Sequence, residues 1–204
     1  MTTKLRDQSE GLHHVVCRGN NKRDIFGPGS ERSWFLHLLD ESAERCGWSV
    51  HAYALMRNHY HLILRIEAGR LGAGMDRLNT GYTTWFNARQ GRMNHLFGRR
   101  YWSERLKDER RYLAALRYVI RNPRRAWLPG PLTTHTWTSL PATLGLDHPP
   151  IRLARRELLT IFGPNEALAA VSFRRFCEAE DGPVYSRRAT RGRPCLGRAE
   201  KQAA

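Results

Sequence analysis

Two histidines one residue apart, His59-Tyr60-His61, open a run that continues Leu62-Ile63-Leu64. On a strand, side chains at i and i+2 leave the same face, so both imidazoles project together. Two convergent neutral imidazoles make half of a metal site. Tyr60 then points to the opposite face, into the core. With nine histidines in the chain, such a pair also arises without function, and spacing alone leaves both readings open. A second group lies downstream, where residues 109–121 predict a helix ended at Asn122-Pro123. At 100° per residue, Leu113, Leu116, Val119 and Ile120 form an apolar stripe, and Tyr118 and Asn122 fall on the far side. Four residues apart, these two can meet. Their face presents a phenol and a hard amide oxygen near Arg117, Arg121, Arg124 and Arg125, with Ala114 and Ala115 small enough to admit a ligand. A surface tyrosine and an asparagine cap before proline fit the same residues.

The elements that must position these groups follow from periodicity and breakers. Residues 12–18 read as a strand ending in the turn cluster Gly19-Asn20-Asn21. Gly27-Pro28-Gly29-Ser30 is a break, with Ser30 as N-cap of a helix carrying Trp34, Phe35, Leu38, Leu39 and Cys46 at helical spacing. Two strands, 48–56 and 59–66, form a hairpin across Arg57-Asn58. A second helix spans 71–89, and 95–106 is strand or extended loop before the Tyr118 helix. The order β-α-β-β-α-β-α predicts an α+β fold, a ferredoxin-like split-βαβ sandwich on an antiparallel sheet. A catalytic domain over 1–128 is expected to be followed by a loop-rich and helical C-terminal extension over 129–178. A basic, flexible tail is expected over 179–204.

Composition narrows the partner. Thirty-four Lys and Arg against nineteen Asp and Glu leave +15, and only Lys4, Lys22, Lys107 and Lys201 are lysines. Arginine's planar fork grips phosphate bidentately, which puts nucleic acid first and an anionic membrane second. Residues 97–125 alone carry +7 of the excess, across the Tyr118 helix, and this sets the membrane aside. No apolar run reaches eighteen residues and the N-terminus lacks a secretory pattern, so a cytoplasmic, nucleoid-associated protein is expected. Cys17, Cys46, Cys177 and Cys195 are far apart and read as reduced thiols. At 41% hydrophobic, the chain is not wholly disordered.

Taken jointly, several segments resemble the single-tyrosine HUH transposases, on the REP-associated tyrosine transposase branch. These are Leu55-Met56-Arg57-Asn58-His59-Tyr60-His61 and Arg117-Tyr118-Val119-Ile120-Arg121-Asn122-Pro123, with His14-Val15-Val16-Cys17-Arg18-Gly19-Asn20-Asn21 upstream. Leu78-Asn79 with Tyr82, His95-Leu96-Phe97 and Trp137-Thr138-Ser139 extend the likeness over residues 11–178. Members often carry proline in place of Arg57, an aliphatic residue in place of Tyr60, and Gln-Gly-Arg where this chain has Gly98-Arg99-Arg100. None of these departures removes a catalytic group.

The resemblance implies that His59, His61 and Asn122 hold Mg²⁺ or Mn²⁺ and that Tyr118 is the nucleophile. A divalent ion polarises the scissile phosphate, and the tyrosine attacks it to give a 5′-phosphotyrosine and a free 3′-hydroxyl. The implied partner is single-stranded or hairpin DNA, and the implied assembly a monomer or homodimer. Arg18, Asn20, Asn21, Arg99, Arg100, Arg117, Arg121, Arg124 and Arg125 are the candidate DNA contacts. Tyr101-Trp102 suit either base stacking or core. His13 and His14 face opposite sides of their strand, so at most one can reach a site. Two other classes stay in view. One is a non-catalytic nucleic-acid-binding module derived from a transposase; the other is a metal phosphohydrolase with no covalent step.

Overall fold

The strands of this chain are apolar on alternate residues of both faces, so the sheet they form must be covered on both sides. The computed structural model describes residues 7–27, 29–98, 100–126, 130–179 and 185. The expectations for Arg99, the Arg125 side chain and the tail other than Ala179 and Tyr185 lie outside the described residues. In chain order come β1 (Gly11–Arg18), α1 (Gly29–Cys46), β2 (Ser49–Met56), β3 (His59–Ile66), α2 (Arg70–Gln90), β4 (Trp102–Arg105) and α3 (Glu109–Ile120). Four shorter or later helices follow: α4 (Asn122–Arg125), α5 (Leu140–Thr143), α6 (Arg155–Thr160) and α7 (Glu166–Glu178). The sheet runs β2-β3-β1-β4 with every neighbouring pair antiparallel. That is the split-βαβ order expected of the α+β sandwich.

Helices α1 and α2 cover one face. There Val15, Cys17, Tyr53, Leu55, Tyr60 and Leu62 pack with Phe35, Leu39, Met75, Leu78 and Tyr82. On the other face Ala52, Ala54 and Ile63 meet Ala115, Leu116 and Val119 of α3, and α7 closes over that helix with Phe173. The two alanines of β2 are short, which lets α3 lie close to the strand. A register shift between Val50 and Ala52 marks a bulge, and His51 beside it bonds to Tyr112 of α3. The outer edge of β2 is occupied too: Leu55 N–H donates to the Trp137 carbonyl, Ser139 N–H to Tyr53, and Ala154 N–H to Val50.

Several sequence expectations shift in detail. Ser30 is not an N-cap, because α1 already begins at Gly29; its hydroxyl instead donates to Glu31 Oε2 at 3.1 Å. Between 95 and 106 only Trp102–Arg105 is strand. Helix α3 stops at Ile120, but the chain re-enters a helical turn at Asn122, since the fixed φ and missing N–H of Pro123 suit a first turn. Asp108 caps α3 by accepting from Arg111 N–H at 2.7 Å. Leu113, Leu116 and Ile120 do not describe its one buried face: α3 is enclosed between sheet and α7, and Ala114 and Ala115 are packed inside. Those alanines serve close packing and open no space for a ligand.

Two backbone features hold the turn after β1. Asn21 and Lys22 adopt left-handed φ of 50° and 60°, which few non-glycine residues take. Gly19 leaves no room for a side chain, since a Cβ there would lie 2.2 Å from the Arg23 carbonyl oxygen and 2.8 Å from Ile25 Cγ2. Gly19→Ala is therefore expected to lower stability by about 1–3 kcal/mol, read as a lower urea midpoint. An unchanged midpoint would contradict this packing.

His51 gives a pH dependence. Burial pushes its pKa down to about 4, against the pull of Glu157, which also pairs with Arg65. Well above pH 6.5 the ring is neutral whether folded or not, so it adds no slope there. As pH falls from 6.5 toward 4 the unfolded chain takes up a proton that the fold refuses, and stability drops. Between pH 7 and 4.5 the loss from this group should be about 2–3 kcal/mol in urea unfolding. His51→Gln should flatten that interval relative to wild type, and an equal slope in both proteins would remove His51 as its source.

Candidate nucleic-acid-processing site

Strand β3 delivers His59 and His61 on the face that α3 covers, and Tyr60 goes to the other, fully buried, with its hydroxyl donating to Asn79 Oδ1 at 2.6 Å. The His59 and His61 rings lie 5.0 Å apart at 79°. The hairpin residue Asn58 orients the first. Its amide nitrogen donates to the Lys22 carbonyl at 3.1 Å, so its oxygen faces His59 Nδ1 at 2.7 Å. That oxygen can only accept, so Nδ1 carries the proton and His59 Nε2 the lone pair.

Tyr118 enters from α3, half-buried, with its ring 5.5 Å from that of His61 and 5.9 Å from that of His14. Asn122 sits one turn on, 6% exposed, and its amide nitrogen donates to the Tyr118 carbonyl at 3.0 Å. The bond closes the helix end and leaves the amide oxygen as that side chain's acceptor. The structure thus brings the histidine pair and the phenol together from elements about sixty residues apart, with Asn122 at the foot of the helix.

Sequence reasoning left one neighbour, His14, undecided and missed another, Tyr185. His14, fully buried, stacks on His61 at 5.2 Å, and its Nε2 lies 2.9 Å from His61 Nδ1. Its other nitrogen, Nδ1, is 2.8 Å from the Tyr185 hydroxyl, whose ring packs 5.3 Å from Tyr118. Of the pair at 13 and 14, His14 is the one that reaches the site; His13 bonds the Ser9 carbonyl at 2.8 Å instead. Trp102 edges His14 at 5.4 Å and Tyr101 is buried in the other core, so this pair walls the site and fills the fold.

The candidate DNA contacts divide by position. Arg18 is exposed, pairs directly with His59 across the β1–β3 ladder, and leaves the same sheet face. Asn20 and Asn21 follow it in the left-handed turn, and Arg100 and Arg124 are exposed. Arg121 donates to the Ala179 carbonyl at 2.9 Å. Arg117 does not fit its expected place: it is buried at 6% exposure with its guanidinium 5.6 Å from the Phe176 ring centre, because α7 covers that side of α3.

As ligand types, these side chains suit a divalent ion with open positions. Among the described residues no three His, Cys, Asp or Glu side chains group so as to hold a metal ion by themselves. Two imidazoles, one with its Nε2 lone pair set by Asn58, and an amide oxygen leave room for phosphate and water oxygens. Among the described residues no helix is long and apolar enough to cross a membrane, and Cys17, Cys46 and Cys177 form no disulfide with one another.

Comparison with known proteins adds the family. Among curated proteins none matches the chain in sequence. A solved structure of a REP-associated tyrosine transposase bound to a REP hairpin shares the fold, with a TM-score of 0.59 at 13% identity. The match covers 76% of this chain and 92% of that one. The family described as Transposase IS200-like matches residues 8–122, from the residues leading into β1 through Asn122. On that span, more than half its length, this chain belongs to the IS200-like transposases.

Proposed function

We propose that the chain is a DNA strand transferase that cuts single-stranded or hairpin DNA through Tyr118, acting in transposition or in the mobilisation of repeated extragenic elements. The observation that carries this reading is the Tyr118 ring set against His61, beside His59, by a separate and rigidly capped helix. A nucleophile and two nitrogen ligands on different elements form one surface only if the whole fold positions them.

In this reading the Tyr118 oxygen attacks the scissile phosphorus in line. The Oη–P bond forms as the P–O3′ bond breaks; the phenol gives up its proton, and the departing 3′-oxygen takes one from solvent. The product is a 5′-phosphotyrosine with a free 3′-hydroxyl. Reversal by another 3′-hydroxyl rejoins the strand, so the energy of the phosphodiester is kept. Mg²⁺ or Mn²⁺, held by His59, His61 and Asn122, would supply Lewis-acid polarisation of the phosphate. Arg18 pairs with His59 and would seat a neighbouring phosphate, with Asn20, Asn21, Arg100, Arg121 and Arg124 extending the contact along the strand. The hairpin-bound relative favours such a substrate, and a monomer or homodimer remains the expected assembly.

Incubation of the full chain with labelled single-stranded hairpin DNA and Mn²⁺ is expected to give a denaturant-resistant protein–DNA adduct. Tyr118→Phe should reduce it at least 10³-fold, to background, while leaving DNA binding within about twofold. Full cleavage by Tyr118→Phe would reject the nucleophile; cleavage without adduct would indicate a phosphohydrolase, and salt-sensitive binding without any cleavage a binding module. Arg18→Ala should weaken binding and make the slope of log affinity against log salt shallower by about 0.7 to 1. An unchanged slope would remove Arg18 from the DNA interface.

A further inference from the structure

A chain of hydrogen bonds runs from the start of α3 to the second histidine of the pair. Arg111 grips Glu104 Oε1 through Nη2 at 2.6 Å and Nε at 3.2 Å, and its guanidinium lies 4.4 Å over the Tyr185 ring centre. The other carboxylate oxygen, Glu104 Oε2, accepts from the Tyr185 hydroxyl at 3.1 Å. Tyr185 Oη also lies 2.8 Å from His14 Nδ1, and His14 Nε2 lies 2.9 Å from His61 Nδ1. With both imidazoles neutral, each contact has one consistent direction. A carboxylate has no proton to give, so the Tyr185 hydroxyl donates to it. Burial and the adjacent Glu104 raise the Tyr185 pKa, so the phenol keeps the proton it donates. Its oxygen is then an acceptor, and His14 Nδ1–H must be the donor. A neutral imidazole protonated at Nδ1 has its lone pair on Nε2, and two lone pairs do not meet at 2.9 Å, so His61 Nδ1 brings the hydrogen to that contact. The reverse polarity would set the Tyr185 oxygen against Glu104 Oε2 with no hydrogen between them.

We infer that Glu104, Tyr185 and His14 act as positioning residues that hold His61 in the Nδ1–H tautomer, so that its Nε2 carries the lone pair offered to the metal. The inference rests on the proposed role of His61 as a ligand. It gives the two histidines of the H-x-H pair separate supports of one polarity: Asn58 fixes His59 from the hairpin, and the relay fixes His61 from across β1 and β4. A ligating imidazole whose other nitrogen donates to a fixed acceptor is both oriented and more basic. Here the immediate acceptor is another imidazole, and the carboxylate that sets the direction stands two groups further back.

The test uses the full chain, metal-free and without DNA, with ¹⁵N-labelled histidine. Long-range ¹H–¹⁵N spectra read the tautomers directly, and both His14 and His61 are expected as Nδ1–H. Tyr185→Phe keeps the ring that packs on Arg111 and Tyr118 but removes the hydroxyl. It should release His14 to a tautomer mixture, carry His61 with it, and weaken binding of Mn²⁺ alone about tenfold by calorimetry. Wild-type His61 protonated at Nε2 would overturn the inference outright, whatever the variant does. So would a Tyr185→Phe protein whose two tautomers and Mn²⁺ affinity match wild type. These readouts need neither cleavage nor substrate. Expected tautomers in a protein that forms no DNA adduct would count against the proposed reaction and not the relay; the opposite pattern would count against the relay alone.

Discussion

A polar side chain inside a sheet covered on both faces must find its hydrogen-bond partner within the protein, and much of this molecule is arranged by that demand. His13, His14, His51 and His61 all lie on the strands at 1% exposure or less. Each is answered from a different direction: His13 by the chain entering β1, His51 by α3 and α6, His14 by Tyr185, and His61 by His14 on the strand beside it. Without these partners each ring would cost of order 1–3 kcal/mol, a large share of the stability of a domain this size. The segments after α3 are therefore part of how the sheet's second face is made tolerable, with Phe173, Leu158 and Leu159 supplying the apolar remainder.

Arg111 shows how tightly local structure and site are joined. Its backbone N–H is held by Asp108, which starts α3, and its guanidinium holds Glu104 on β4. One residue thus ties the beginning of the Tyr118 helix to the edge strand of the sheet. The far end is tied by Arg121, which donates to the Ala179 carbonyl beyond α7 at 2.9 Å, while Asn122 closes the helix on itself through the Tyr118 carbonyl. A helix pinned at both ends has little freedom to tilt, and the phenol between the pins keeps its distance from the histidines. That is the pre-organisation the proposed covalent step would need.

The parts of the site that obey a local period were legible in the sequence. His59 and His61 share a face because strands alternate, and Tyr118 and Asn122 adjoin because helices repeat near four. The β-α-β-β-α-β-α order, hence the fold, followed from breakers and apolar spacing. What was not legible depends on register across the ladder and on contacts from beyond the domain core. Nothing near His14 tells that β1 pairs with β3 so that His14 lies two residues from the partner of His61. Tyr185 stands in a polar segment with no period at all. Arg117 and the alanines at 114 and 115 were misplaced for one reason: a stripe analysis assumes one covered face, and α7 supplies a second.

The segments that close the edge of β2 have one more consequence. The outward backbone groups of Val50, Tyr53 and Leu55 are already engaged by residues 137–139 and 154, and the Ser139 hydroxyl accepts from Tyr53 N–H at 3.1 Å. An open edge is where a second copy can continue a sheet by strand addition. Here that template is occupied along β2 by the protein's own return chain. Two copies therefore cannot fuse their sheets through β2 into one continuous ribbon, and any pairing of protomers has to be built from side chains on another surface.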